Sequence, residues 1–167
     1  TEAIVPATVL TNLVEQKVYP EPYYGQTNKL ANNIIPDLAK AGHEFYTYWF
    51  RTEFQVPAEY KGKHIWLEPM GINYRAEVWV NGHMIGQMAG MFNSQPFDIT
   101  DRVKPGQAAV LAIRVKPVDV PGTTMPKSWG AVGEWHNGGD GWIGQNVTQL
   151  MTVGWDFTFL DGIRDRN

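Results

Sequence analysis

A chain of 167 residues, 43% hydrophobic and 19% charged, has the length of one globular domain and should bury about 70% of its unfolded surface. A net charge of −3 with no dense basic run beyond Lys61, Lys63 and His64 argues against nucleic acid, whose phosphates demand clustered Lys and Arg. No apolar stretch is long enough for a membrane-spanning helix, and the lack of cysteine removes disulfides, thiolate catalysis and cysteine-ligated metal.

Residues 1–42 carry Pro6, Pro20, Pro22, Pro36 and Gly25 among polar clusters, which reads as an irregular arm. Within it a short helix is expected at Val9 to Glu15, and one helical turn at Pro36 to Gly42. From Phe45 to Val56 the period is two. Tyr46, Tyr48, Phe50, Phe54 and Val56 share one face, and Arg51, Glu53 and Gln55 the other, as in a half-buried strand. Pro57 ends it. Ile65 and Leu67 mark a second strand. In a third, Tyr74, Ala76, Val78 and Val80 oppose Arg75, Glu77 and Trp79. Asn81-Gly82 supplies the positive-φ pair of a two-residue hairpin, with return through Met84 and Ile85. Further strands are expected at Phe97 to Thr100, Ala109 to Val115 and Leu150 to Leu160. Phe50, Phe54, Val78, Val80, Ile113 and Phe157 are the expected core. Short strands between turns predict an all-β, antiparallel β-sandwich with long irregular loops, Val118 to Gln149 being the longest.

Few constellations carry chemistry. Gly139-Asp140-Gly141-Trp142-Ile143-Gly144 matches G-x-G-x-x-G, but a loop precedes it where a dinucleotide site needs a strand. His43, His64, His83 and His136 are too scattered for a metal site, and Ser94 and Ser128 lack a nucleophile frame. No metal and no cofactor is expected. Glu134, Asp140, Asp156, Asp161 and Asp165 hold no spacing that singles out a glycosidic acid-base pair. Asn146-Val147-Thr148 is a formal glycosylation sequon. Tyr23, Tyr24, Trp129, Trp135 and Trp142 fall in segments without period, where no core face claims them. Such rings either stack on pyranose faces or pack loops onto protein.

The order of motifs adds more. Tyr48-Trp49-Phe50-Arg51-Thr52-Glu53-Phe54 comes first, then Tyr74-Arg75-Ala76-Glu77-Val78-Trp79-Val80-Asn81-Gly82. Phe97-Asp98-Ile99-Thr100-Asp101 and Lys104-Pro105-Gly106 follow. This series resembles the N-terminal sugar-binding domain of glycoside hydrolase family 2, a jelly-roll, galactose-binding-like sandwich. Val5 to Val9 and Tyr19-Pro20-Glu21-Pro22-Tyr23-Tyr24-Gly25 resemble its β-mannosidase and exo-β-glucosaminidase branch.

The resemblance implies a non-catalytic domain, spanning 1–167 as one unit, of an enzyme that cleaves O-glycosyl bonds. The parent would be β-mannosidase-, β-glucosaminidase- or β-galactosidase-like. In the family both catalytic glutamates sit on a (β/α)8 barrel of the same polypeptide, so no residue here is expected to be catalytic. The matched rim positions are Tyr24 and Asn28 in one stretch and Asp165 and Asn167 in the other, with Trp129, Trp135 and Trp142 as sugar-stacking candidates. The expected partners are a β-linked glycoside and the barrel, without nucleic acid or membrane. The chain reads as an excised piece of a longer protein, periplasmic or secreted in a bacterium, with no signal peptide of its own. Two other readings stand beside this one: an independent carbohydrate-binding module and a stand-alone glycosidase.

Overall fold

The computed structural model describes residues 2–21, 43–73, 75–90 and 92–116. The chain divides into two compact units, 1–46 with 117–167, and 47–116.

In the first unit, α1 (Val9–Glu15) occupies the expected span. Thr8 caps it, its Oγ1 accepting from Thr11 N at 3.0 Å, which satisfies one orphan donor of the first turn. Asn12 is buried yet fully used. Its Oδ1 accepts from Ile4 N at 2.7 Å, and its Nδ2 donates to Ile4 O and Thr8 O at 3.2 and 3.1 Å. A buried amide must be paired this way to avoid its desolvation cost. His43–Tyr46 form a 3₁₀ turn, which takes Phe45 and Tyr46 out of the strand expected from Phe45 to Val56. Phe45 and Tyr46 pack edge to face, ring centroids 5.0 Å apart, whereas in a strand consecutive side chains point to opposite faces. The helical turn expected at 36–42 lies outside the described residues.

The second unit is antiparallel β-structure. A four-stranded sheet runs in the order β1 (Tyr48–Gln55), β6 (Ala108–Lys116), β3 (Arg75–Val80), β4 (His83–Ala89). A two-stranded sheet pairs β2 (Trp66–Leu67) with β5 (Phe97–Asp98). The β3–β4 turn is the expected one, with φ of +48° at Asn81 and +80° at Gly82. Asn81 also ties the hairpin to its neighbours: its Nδ2 donates to Arg102 O at 2.6 Å, and its Oδ1 accepts from Val110 N at 2.9 Å. Between Val78 and Trp79 the register slips, so Val78 faces Gly86 while Trp79 faces Met84, and Ile85 is the bulged residue.

The Phe-Asp-Ile-Thr-Asp motif is a structural latch. Asp98 Oδ1 accepts from Thr100 N at 2.9 Å and from Thr100 Oγ1 at 2.5 Å, while Thr100 Oγ1 accepts from Ile65 N at 2.9 Å. Ile99 N donates to Ile65 O, carrying the β2–β5 pairing one step further. The Thr100 hydroxyl first, then its N–H, then His64, hold the Asp98 carboxyl below the usual carboxylate range.

The core lies between the two sheets. Val78, Val80 and Met88 from the larger sheet meet Phe97 from the smaller, with Val56, Ile65, Ile99 and Val103 closing the ends. Each such side chain contributes roughly 1.5–3 kcal/mol through removal from water. Val78 and Val80 are fully buried, as the alternation predicted. Phe54 and Ile113 are partly buried and pack against this cluster. Phe50 is a correction: it points inward but is only half-buried and stands outside the cluster. Its partner across β1–β6 is Ile113. Phe157 and the strand expected at 150–160 lie outside the described residues.

Candidate functional site

The positions matched to a sugar subsite, Tyr24, Asn28, Asp165 and Asn167, lie outside the described residues. So do Trp129, Trp135 and Trp142, the glycine-rich loop and the carboxylates at 134, 140, 156, 161 and 165. Of the histidines, His64 Nδ1 stands 3.3 Å from Asp98 Oδ2 and His83 is exposed on β4. Among the described residues no group of three His, Cys, Asp or Glu side chains is placed to hold a metal ion.

What the described residues do bring together is a band across the outward face of the four-stranded sheet. Antiparallel register sets Trp49 of β1 opposite Arg114 of β6, Arg114 opposite Glu77 of β3, and Glu77 opposite Gln87 of β4. The next row is Arg51, Ala112, Trp79 and Met84, and on the other side Lys116 faces Arg75. Trp49 and Trp79 sit on strands separated by β6, yet their ring centroids are 6.0 Å apart at 58°. The small Ala112 between Arg51 and Trp79 leaves room for that approach. Trp49 keeps 55% of its surface exposed. Trp79 is half-buried, and its Nε1 is shielded with no hydrogen-bond partner among the described residues.

Glu77 anchors the band. Strand alternation predicts an outward, solvated acid, but the residue is buried because its cross-strand neighbours are long. Its Oε1 lies 2.6 Å from Lys116 Nζ, and its Oε2 lies 3.6 Å from Arg114 Nη1. The Lys116 hydrogen bond is the main cause holding its carboxyl below the ordinary value; burial opposes it, and Arg114 adds to the lowering. The carboxylate therefore contributes stability above about pH 4.5, its ordinary value, and loses it as pH falls through the lower folded value. Glu77→Gln should cost about 1–3 kcal/mol near neutrality, the range for a charge-assisted pair whose cations are partly exposed. Denaturation midpoints of wild type and variant should converge on acidification. A gap that stays constant from about pH 7 to about pH 3 would show that the charge is not what Glu77 contributes.

Trp49 and Trp79 stand on periodic strands, where aromatics are first expected to pack, so strand period alone does not mark them as surface residues. The signal was present in the outward i, i+2 pairs Trp49/Arg51, Glu77/Trp79 and Arg114/Lys116, but which strands lie side by side is decided by the tertiary fold.

The antiparallel sheets, their shared core and the motif latches define a galactose-binding-like β-sandwich. The chain belongs to the glycosyl hydrolase 2 galactose-binding domain-like family, whose model matches residues 1–160. It is 40% identical over 166 residues to the mannosylglycoprotein endo-beta-mannosidase of Lilium longiflorum, covering 99% of this chain and 16% of that protein. It is 28% identical over 129 residues to the exo-beta-D-glucosaminidase of Amycolatopsis orientalis, covering 74% of this chain and 11% of that one. These relatives match the branch to which the stretch from Tyr19 to Gly25 points. Among solved structures, the β-glucuronidase from Ruminococcus gnavus aligns over 42% of this chain and 12% of its own, with 35% identity and a TM-score of 0.41. The chain thus spans a sixth or less of the length of each of these proteins.

Proposed function

We propose that the chain is the accessory sugar-binding domain of a larger family 2 β-glycosidase, docking on a (β/α)8 barrel of the same polypeptide and lending loop residues to the substrate subsite. The observation that carries this reading is the alignment of 99% of the chain with 16% of an endo-β-mannosidase. Four of the described carboxylates, each engaged within the fold, accord with it. Glu77 is held by Lys116, Asp98 by Thr100, Glu53 by Arg51, and Glu68 accepts from Ser94 Oγ. Such acids are fastened to structure, not poised as an acid–nucleophile pair, which needs two carboxyls facing one glycosidic oxygen. The proposed substrate is a β-linked mannoside or its amino-sugar counterpart, with Tyr24, Asn28, Asp165 and Asn167 as the contributed residues. An exported, periplasmic or secreted, parent belongs to the same proposal, and the cysteine-free composition is compatible with it.

The test is hydrolysis. The purified 167-residue chain should turn over no nitrophenyl β-mannoside, β-glucosaminide or β-galactoside, whereas the parent enzyme should cleave a β-mannosidic or β-glucosaminidic bond. Activity of the chain alone that survives repurification would overturn the accessory assignment. Cleavage from chain ends or within chains by the parent separates exo from endo action, for relatives of both kinds are found.

A further inference from the structure

The strand ends that lie away from the Asn81-Gly82 turn lead into two segments with the most exposed large apolar side chains among the described residues, Met70 at 79% and Phe92 at 80%. Met70 stands on the segment from β2 to β3, and Phe92 on the segment from β4 to β5. Leu67 and Phe97 are cross-strand partners, and the two segments run on beside each other from that pair. Gln95 N donates to Pro69 O at 3.4 Å, and Ser94 Oγ donates to Glu68 Oε1. Asn93 Nδ2 closes the second segment on Ala89 O at 2.5 Å, and Ile72 fastens the first to the core.

The pair is also uncharged. From Pro69 to Tyr74 and from Gly90 to Phe97 there is no Asp, Glu, Lys, Arg or His, although 19% of the chain is charged. A surface that lacks charge while exposing Met and an aromatic ring has the composition of an interface centre. Apolar side chains gain on being covered, and Met adapts its shape to what covers it. Hydrogen-bonded segments already hold these two side chains out, so little order has to be created on docking.

The same end of the four-stranded sheet receives and releases the chain. Tyr48, the first residue of β1, pairs with Val115, and Lys116, the last of β6, pairs with Arg75, which in turn faces Ala89. Polypeptide outside residues 47–116 is therefore tethered at the end where Met70 and Phe92 stand. Tethering makes docking intramolecular, so a small apolar contact is enough to hold. The chain spans 16% of the length of one relative and 11% of another, so most of a parent of that kind is available as the partner.

We propose that Met70 and Phe92 form the docking surface through which this domain meets an uncharged, apolar patch on the catalytic barrel of its parent. The proposal rests on the accessory reading above and names the surface that makes the contact. It uses none of the residues assigned to the substrate subsite.

The experiment is hydrogen exchange, read by mass spectrometry, on the parent enzyme and on the 167-residue chain. Amides of residues 70–73 and 92–95 should exchange at least about tenfold slower in the parent, with the Asn81-Gly82 turn as internal reference. Phe92→Glu combined with Met70→Glu should leave the denaturation midpoint of the chain unchanged, because both positions lie in water. In the parent the same pair should abolish the slowed exchange and speed protease release of this domain at least about tenfold. That comparison of parents stands whether or not the chain folds alone. Equal exchange of these segments in parent and chain would overturn the proposal. Protection on another face of the domain would then keep the accessory reading, which the hydrolysis test judges separately. Concentration-dependent protection of the isolated chain, lost in Phe92→Glu, would make a second copy the occupant and overturn it as well. Unaltered protease release from the doubly substituted parent would do the same.

Discussion

Replacing Gly86 with alanine should destabilise the second unit by about 1–3 kcal/mol, the usual cost of forcing atoms into a filled core, and valine should cost more. Gly86 faces Val78 across β3–β4 on the inward side of the sheet, where the ring of Phe97 from the other sheet packs on its backbone. A Cβ at position 86 would lie 2.2 Å from Phe97 Cε1 and 3.0 Å from its Cδ1. Phe97 is itself buried, so its ring has no solvent side to which it can swing. The glycine is required for this close approach of two sheets, not for a positive φ. A cycle with Phe97→Leu checks the cause. Phe97→Leu alone should destabilise, and Gly86→Ala should cost less in that background, because neighbours that share one space do not add. A Gly86→Ala chain with a wild-type denaturation midpoint would mean that the two sheets do not meet here.

Asp165→Ala in the full-length parent should lower kcat/KM by about ten- to a thousandfold, the range for losing ~1.5–4 kcal/mol of transition-state binding. The expectation rests on the match of Asp165-Arg166-Asn167 to a rim motif and on the proposed role of this chain beside a barrel. A carboxylate accepts hydroxyl hydrogen bonds from a sugar, and part of that interaction tightens as the ring flattens toward an oxocarbenium-like transition state. Wild-type kinetics in the Asp165→Ala parent would make the residue an ordinary solvated acid.

Wherever local chemistry decides conformation, residues alone were enough. The helix expected at Val9 to Glu15 is α1, the Asn81-Gly82 pair set the hairpin, and the alternation through Val78 and Val80 named the buried face of β3. The order of motifs around them sufficed to name the family. Where alternation was incomplete, as at Phe45 and Tyr46, an apparent strand became a 3₁₀ turn, since adjacent aromatics gained more by packing on each other. Which strands are neighbours, by contrast, is non-local. Residues 49, 77, 79, 114 and 116 share a face only because β6 inserts between β1 and β3. That insertion turned Glu77 from an outward strand position into the buried anchor of two cations and brought two tryptophans together over Ala112, whereas the packing of one sheet on the other pressed Phe97 onto Gly86. Period and turn chemistry act over a few residues and are written in the sequence, whereas cross-strand neighbours are chosen by burial of the whole core.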